Sequence, residues 1–266
     1  MKISLLFICL LLLQSCEMFE SHPYDGNVSG EKSINAKNIK YIESTCKGKK
    51  TIKFAFISDT QYWFDETLDF VNAINRRSDI DFVIHGGDMT EYSLTNEFLW
   101  IRDLMNKLDV PYVAILGNHD CLATGIDVFR RVYGPENFSF MAGDTKFVCL
   151  NTNALEFDYS ETVPDLEFMK KQATDARADY KKTVVAMHSY PFSDQFEGKR
   201  VYDFQREVMK FKGLQFCMHG HNHGLMVSDF FDDNIFYYGI SSIEKRKYFV
   251  FTLKSDNEYE YEVVEF

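Results

Sequence analysis

The chain predicts an α/β fold built on one mixed sheet or on two packed sheets. Short runs rich in Val, Ile and Phe recur along its 266 residues, and stretches of helical period lie between them. The composition, 45% hydrophobic, is that of a globular protein with a sizeable buried core. Seven runs read as strands: FAFI (54–57), FVI (82–84), YVAIL (112–116), FVCL (147–150), TVVAM (183–187), FCM (216–218) and IFYYGI (235–240). Being apolar throughout, not alternating, they suit a sheet covered on both faces.

The N-terminus carries a different signal. MKISLLFICLLLLQSC holds one lysine and then an apolar run from Ile3 to Leu13. That run is far shorter than the ~20 residues that span a bilayer, and it has the length of an export signal. It ends in Leu13-Gln14-Ser15-Cys16, which resembles the lipobox of bacterial lipoproteins, where the signal is removed and the new N-terminal cysteine is lipidated. Gln14 departs from the commonest form of that box, and a plain cleaved signal is the alternative. The expectation is a signal peptide over 1–15, a lipidated Cys16 with a polar tether to residue 50, and one domain over 51–266. The protein would be exported and held on a bacterial membrane, facing periplasm or medium. Ile39 and Ile42 would dock the end of the tether.

Within the domain, Leu94, Phe98, Ile101, Met105 and Leu108 form one helical stripe. Leu166, Met169, Ala173 and Ala176 form another, with Pro164 at the first helical position. Phe138 to Asn151, broken by Ala142-Gly143-Asp144, reads as a hairpin, as does the pair flanking Lys254 to Asn257. Cys46, Cys121, Cys149 and Cys217 are too scattered for a disulfide framework. Cys149 and Cys217 sit in apolar runs and read as small buried hydrophobes.

A net charge of −11 argues against a broad basic face, so stable nucleic-acid binding is not expected. Any phosphate chemistry needs positive charge from another source.

The apolar runs share one habit, which is that most end in residue types that ligate metals. FAFIS leads to Asp59-Thr60-Gln61, FVIHGG to Asp88, YVAILG to Asn118-His119-Asp120, TVVAM to His188, and FCMHG to His221-Asn222-His223. In open α/β sheets the ligand crevice lies beyond the carboxyl ends of the strands. One such residue at a strand end is usually a turn or cap residue. Five segments in order point to one place.

Asp59-x-Gln61, Gly87-Asp88, Gly117-Asn118-His119-Asp120, His188 and Gly220-His221-x-His223 resemble the signature of the calcineurin-like metallophosphoesterases, over about residues 51–250. The resemblance implies a four-layer α/β/β/α sandwich, two mixed sheets flanked by helices, with a two-metal centre at the carboxyl rim. It implies one ion on Asp59, Gln61, Asp88 and His223, and a second on Asp88, Asn118, His188 and His221, so that Asp88 bridges. His119 would be the catalytic imidazole, oriented by Asp120, and the nucleophile a hydroxide shared by the ions. The family's first motif is usually Asp-x-His, and Gln61 stands in place of that histidine.

Such oxygen and imidazole donors suit Mn, Fe or Zn, divalent or trivalent. Two divalent ions against Asp59 and Asp88 leave a charge of about +2, a match for bound phosphate that needs no lysine. His119 could donate to a phosphoryl or leaving oxygen. The glycines before Asp88, Asn118 and His221 would let the backbone turn sharply. Tyr62, Trp63, Phe64, Tyr190 and Pro191 would border the mouth, Glu91 would support the ligands, and His85 would be a core histidine.

The resulting expectation is a monomeric hydrolase of small or macromolecular phosphate mono- or diesters. The alternative is a lipoprotein with a weakened site that binds a phosphorylated glycan, lipid or nucleotide without turnover.

Overall fold

A computed structural model describes residues 22–160, 162–175, 179–196, 198–255 and 258–266. The signal peptide, Cys16 and Ala176 lie outside these residues. Along the described chain run α1 (Ile34–Thr45), β1 (Ile52–Ile57), α2 (Phe64–Asn75), β2 (Phe82–His85), α3 (Thr95–Met105), β3 (Tyr112–Ala114), α4 (Gly125–Val132), β4 (Phe138–Ala142) and β5 (Thr145–Leu150). These are followed by α5 (Leu166–Ala173), β6 (Lys182–Met187), α6 (Val201–Val208), β7 (Leu214–His219), β8 (Met226–Ser228), β9 (Tyr237–Gly239), β10 (Lys247–Leu253) and β11 (Tyr259–Glu265).

The strands form two mixed sheets, ordered β11-β10-β1-β2-β3 and β4-β5-β6-β7-β9-β8. β1, β2 and β3 are parallel, as are β5, β6, β7 and β9. The antiparallel pairs include the hairpin β4–β5 and the closing pair β10–β11.

The central strands serve two cores because alternate residues point to opposite faces. Between the sheets, Phe54, Phe56 and Phe82 of one meet Phe140, Phe147 and Phe216 of the other. Phe54 stacks on Phe82 at 5.2 Å between centroids and takes the edge of Phe147 at the same distance, an arrangement that suits ring quadrupoles. On the outer face of the first sheet, Ala55, Val83 and Val250 pack under Phe70 of α2, Phe98 of α3 and Phe129 of α4. On the outer face of the second, Val148, Val185 and Cys217 pack under Met169 of α5 and Phe204 of α6. This is the α/β/β/α sandwich. Helices α2, α4 and α6, which the reading of apolar runs does not place, carry their apolar residues at helical spacing, as in Phe70, Val71 and Ile74.

Three local readings are corrected. The stretch read as a tether through residue 50 holds α1, whose Ile42 joins the core between the sheets, with Cys46 just beyond it. Asn35 donates to the Ala114 carbonyl at 2.8 Å and accepts its N–H at 2.9 Å, so α1 seals the open edge of β3. The segment before α1 is also pinned, since the Arg131 guanidinium donates to the Gly26 carbonyl at 2.7 Å. Finally, α5 begins after Pro164: Asp165 is its cap and accepts the Phe168 N–H at 2.9 Å. The four cysteines Cys46, Cys121, Cys149 and Cys217 are buried and free. No helix among the described residues is long and apolar enough to cross a membrane.

Candidate metal centre

Parallel strands at the middle of both sheets bring their carboxyl ends to one rim, so the loops after β1, β2, β3, β6 and β7 meet there. Asp59, Asp88 and His188, all buried, offer ligand atoms that lie within 4.8 Å of one another. His188 Nε2 is 3.2 Å from Asp88 Oδ2 and 3.0 Å from Asn118 Oδ1. Asn118 Oδ1 also faces His221 Nδ1 at 3.1 Å. His223 Nε2 is 3.3 Å from Asp59 Oδ1. Asp59, Asp88, Asn118, His188, His221 and His223 are therefore brought together. Gln61 is buried on the same loop, its backbone N–H donating to the Asp88 carbonyl at 3.0 Å.

The donor set fits cations. The Gly86 carbonyl, 2.8 Å from His188 Nδ1, fixes the ring proton there and leaves Nε2 facing two oxygens. Asn118 Oδ1 likewise faces two imidazole nitrogens, so lone pairs converge on a small buried volume that a divalent ion would satisfy. His221 Nε2 points the other way, onto the Asp194 carboxylate at 2.9 Å. Asp194 escapes the sequence reading because nothing near it forms a motif; only the loop path from His188 places it on His221.

Backbone conformation shows how tightly the rim is made. Asp59, Gln61, Asp88, His221 and His223 all have positive φ, between 39° and 74°. Each costs on the order of 1 kcal/mol for a residue other than glycine, and such strain clusters at functional sites. The rim glycines Gly87, Gly117 and Gly220 serve closeness more than turning, since of these three only Gly87 has positive φ, 101°. A Cβ on Gly117 would lie 2.0 Å from the Asp88 nitrogen, and one on Gly220 2.0 Å from Ser58 Oγ.

Electrostatics follow from the burial of two carboxylates among imidazoles. Burial works against charge on His188, but Asp88 beside it outweighs that and pushes its pKa up to about 9. Asp88 is held below the usual range despite burial, through His188 and His119. His223 is raised by its bond to Asp59, whereas burial and the neighbouring His188 lower His221. His85 and His219 are both pushed down to about 4 by burial. His85 bonds Thr60 Oγ1 at 2.9 Å and remains a core histidine.

Asp120 does not orient His119. Its Oδ1 accepts the Thr90 N–H and hydroxyl, each at 2.9 Å, and its Oδ2 the Gly117 N–H at 3.0 Å. It ties the loops after β2 and β3 together, and burial beside Asp88 pushes it up to about 7. His119 Nδ1 is held instead by the Glu91 carbonyl at 2.9 Å, with the Glu91 carboxylate 3.8 Å away. The His119 N–H donates to Asp88 Oδ1 at 2.9 Å, which ties this imidazole's backbone to the site. Of the aromatic residues, Tyr62 is exposed, but Trp63 and Phe64 pack on the helical layer. Tyr190 lies 6.2 Å from the His221 ring, and Pro191 is buried.

A family model described as calcineurin-like phosphoesterase matches residues 52–225. No curated protein matches the chain. Among solved structures, a purple acid phosphatase from yellow lupin superposes with a TM-score of 0.62 at 13% identity, covering 81% of this chain and 52% of that one. GAP50, titled the anchor in the inner membrane complex of Plasmodium, gives 0.61 at 13% identity, covering 82% and 85%. A dimetal phosphatase from Danio rerio gives 0.56 at 12% identity, covering 80% and 98%. This chain thus spans about half of the lupin protein and most of the other two. At these identities the likeness shows the fold.

Proposed function

Because this chain belongs to the calcineurin-like phosphoesterase family, we propose that it is an exported, lipid-anchored hydrolase of phosphate mono- or diesters with a two-metal centre. The observation that most supports the hydrolytic centre is the buried meeting of Asp88 and His188 at 3.2 Å beside Asp59 and Asn118. One ion would be held by Asp59, Gln61, Asp88 and His223, the other by Asp88, Asn118, His188 and His221. Bound ions supply Lewis acidity toward a phosphoryl oxygen and make attacking water more acidic.

The chain's own residues do the rest. The Gly86 carbonyl and the Asp194 carboxylate fix which nitrogen His188 and His221 turn inward. His119 is raised above its ordinary pKa, because Asp88 and Glu91 outweigh its burial. With Nδ1 engaged by Glu91, Nε2 is the atom that donates to the leaving oxygen as the phosphorus–oxygen bond breaks. Asp120 supports this by holding the loops that carry Asp88 and His119.

Export and anchoring rest on residues 1–16 alone. Cells fed a labelled fatty acid should label the full chain and not Cys16→Ala. The activity is tested with mature protein reconstituted with Mn, Fe or Zn and offered aryl phosphate monoesters and diesters. Protein carrying two ions that turns over neither overturns the proposal. Gln61 favours a second reading, in which a weakened site binds a phosphorylated ligand without turnover. One bound ion or none, with no turnover, would support it.

A further inference from the structure

Resting on that phosphoesterase reading, we infer that the site takes esters whose leaving group carries a neutral planar ring, seated on an aromatic platform of Tyr190, Phe192, Tyr202, Phe230 and Phe231. The loop after β6 opens with His188 and then carries Tyr190, Phe192 and Asp194, whose carboxylate meets His221. Tyr190 lies 6.2 Å from the His221 ring and stacks on Phe230 at 5.6 Å, with 8° between planes. Phe192 sits 6.1 Å from Phe230 and 5.4 Å from Phe231, and Tyr202 is 6.2 Å from Phe192 and from Phe231. The rings thus run without a break from a candidate metal ligand out to solvent.

Three features separate this set from ordinary packing. Phe192 is 51% exposed and Tyr202 69% exposed, so the outer rings keep surface available. Phe192 has φ 73°, a strained conformation for a bulky residue, and here it does not bury the ring. The opposite loop is fixed in advance: the Asp229 carboxylate accepts the Asp233 N–H at 3.1 Å and the Asn234 N–H at 2.9 Å, which holds the turn carrying Phe230 and Phe231. Stacking on such rings tolerates any flat base or aryl group. Asp194, on His221, and Asp229, Asp232 and Asp233, which neighbour Phe230 and Phe231 in the chain, disfavour further anionic groups, so the chemistry selected is a single phosphate joined to an uncharged ring.

Adenosine 5′-monophosphate and ribose 5-phosphate share a primary alkoxide leaving group, so their kcat/KM ratio on the metal-loaded protein reads the ring alone. The expected ratio is about tenfold or more in favour of the nucleotide, the scale of one base–aromatic stack. Phe192→Ala/Tyr202→Ala should bring the ratio close to one. Calorimetry with benzylphosphonate and methylphosphonate gives the same comparison without turnover, and about tenfold tighter binding of the first is expected. Equal kcat/KM for the two substrates, or a preference that survives the double variant, overturns the inference while leaving the phosphoesterase reading intact. If neither substrate is hydrolysed, the phosphonates still decide: equal affinities overturn the platform, and unequal ones that equalise in the double variant support it.

Discussion

Replacing Asp88 with asparagine removes one negative charge from a residue only 1% exposed and changes its shape very little. The charge faces His188 Nε2 at 3.2 Å, and a unit pair at that separation is worth about 5 kcal/mol at an effective dielectric of about 20. Without it, burial becomes the dominant influence on His188, with Asp59 and the Gly86 carbonyl still opposing it. The molecule contains its own controls, since His85 and His219, buried imidazoles with no carboxylate hydrogen-bonded among the described contacts, are pushed down to about 4. His188 in Asp88→Asn should therefore titrate below the ordinary 6.5 and not near 9. Because Asp88 is the ligand common to both proposed ions, the variant should also lose at least one of them on dialysis. Imidazole titration by NMR on metal-free protein reads the first effect, and elemental analysis of dialysed protein reads the second. A variant that keeps both ions, or whose His188 still titrates near 9, would refute the reasoning.

Asp194→Ala should weaken metal binding by about tenfold to a hundredfold by freeing His221, and it should change stability by no more than about 0.5 kcal/mol because Asp194 is exposed; calorimetry and urea melts read the two. Gly117→Ala should cost at least ~3 kcal/mol in urea unfolding, since its Cβ would meet the Asp88 backbone at 2.0 Å; a cost under ~1 kcal/mol would show that the loops can separate. Metal-free protein should also lose stability as pH rises above neutrality. Both His188, raised from 6.5 to about 9, and Asp120, raised from 3.8 to about 7, bind protons more tightly when folded. Their contributions are complete below the lower value and lost through the higher one. Because His85 and His219, lowered from 6.5 to about 4, act in the opposite sense up to about pH 6.5, the melting temperature should fall between about pH 7 and pH 9, and added metal should flatten that fall because binding displaces the His188 proton. A metal-free melting temperature that rises across this range would contradict the assignment.

Much of the fold was legible because burial on both faces leaves a local mark. FAFI, FVCL and TVVAM are strands in the structure because each must be apolar on successive residues to serve two cores. The candidate site residues could be gathered for a related reason: parallel strands deliver whatever follows them to one rim, so metal-ligand types at five strand ends pointed to one place without coordinates.

Other features left no such mark. Residues 34–45 look polar because α1 buries only a narrow face and uses Asn35 to bond the edge of β3. Asp120 and Glu91 divide their work in a way that sequence adjacency does not reveal, since a carboxylate next to a histidine in the chain can point anywhere. Positive φ at Asp59, Asp88, His221 and His223 is imposed by hydrogen bonds and contacts between remote loops. The same is true of Asp194 on His221 and of the rings gathered around Phe192. Residue type and order in the chain indicated which donors reach the rim; which nitrogen an imidazole turns inward was decided by contacts between separate loops, as between His188 and Gly86 and between His221 and Asp194.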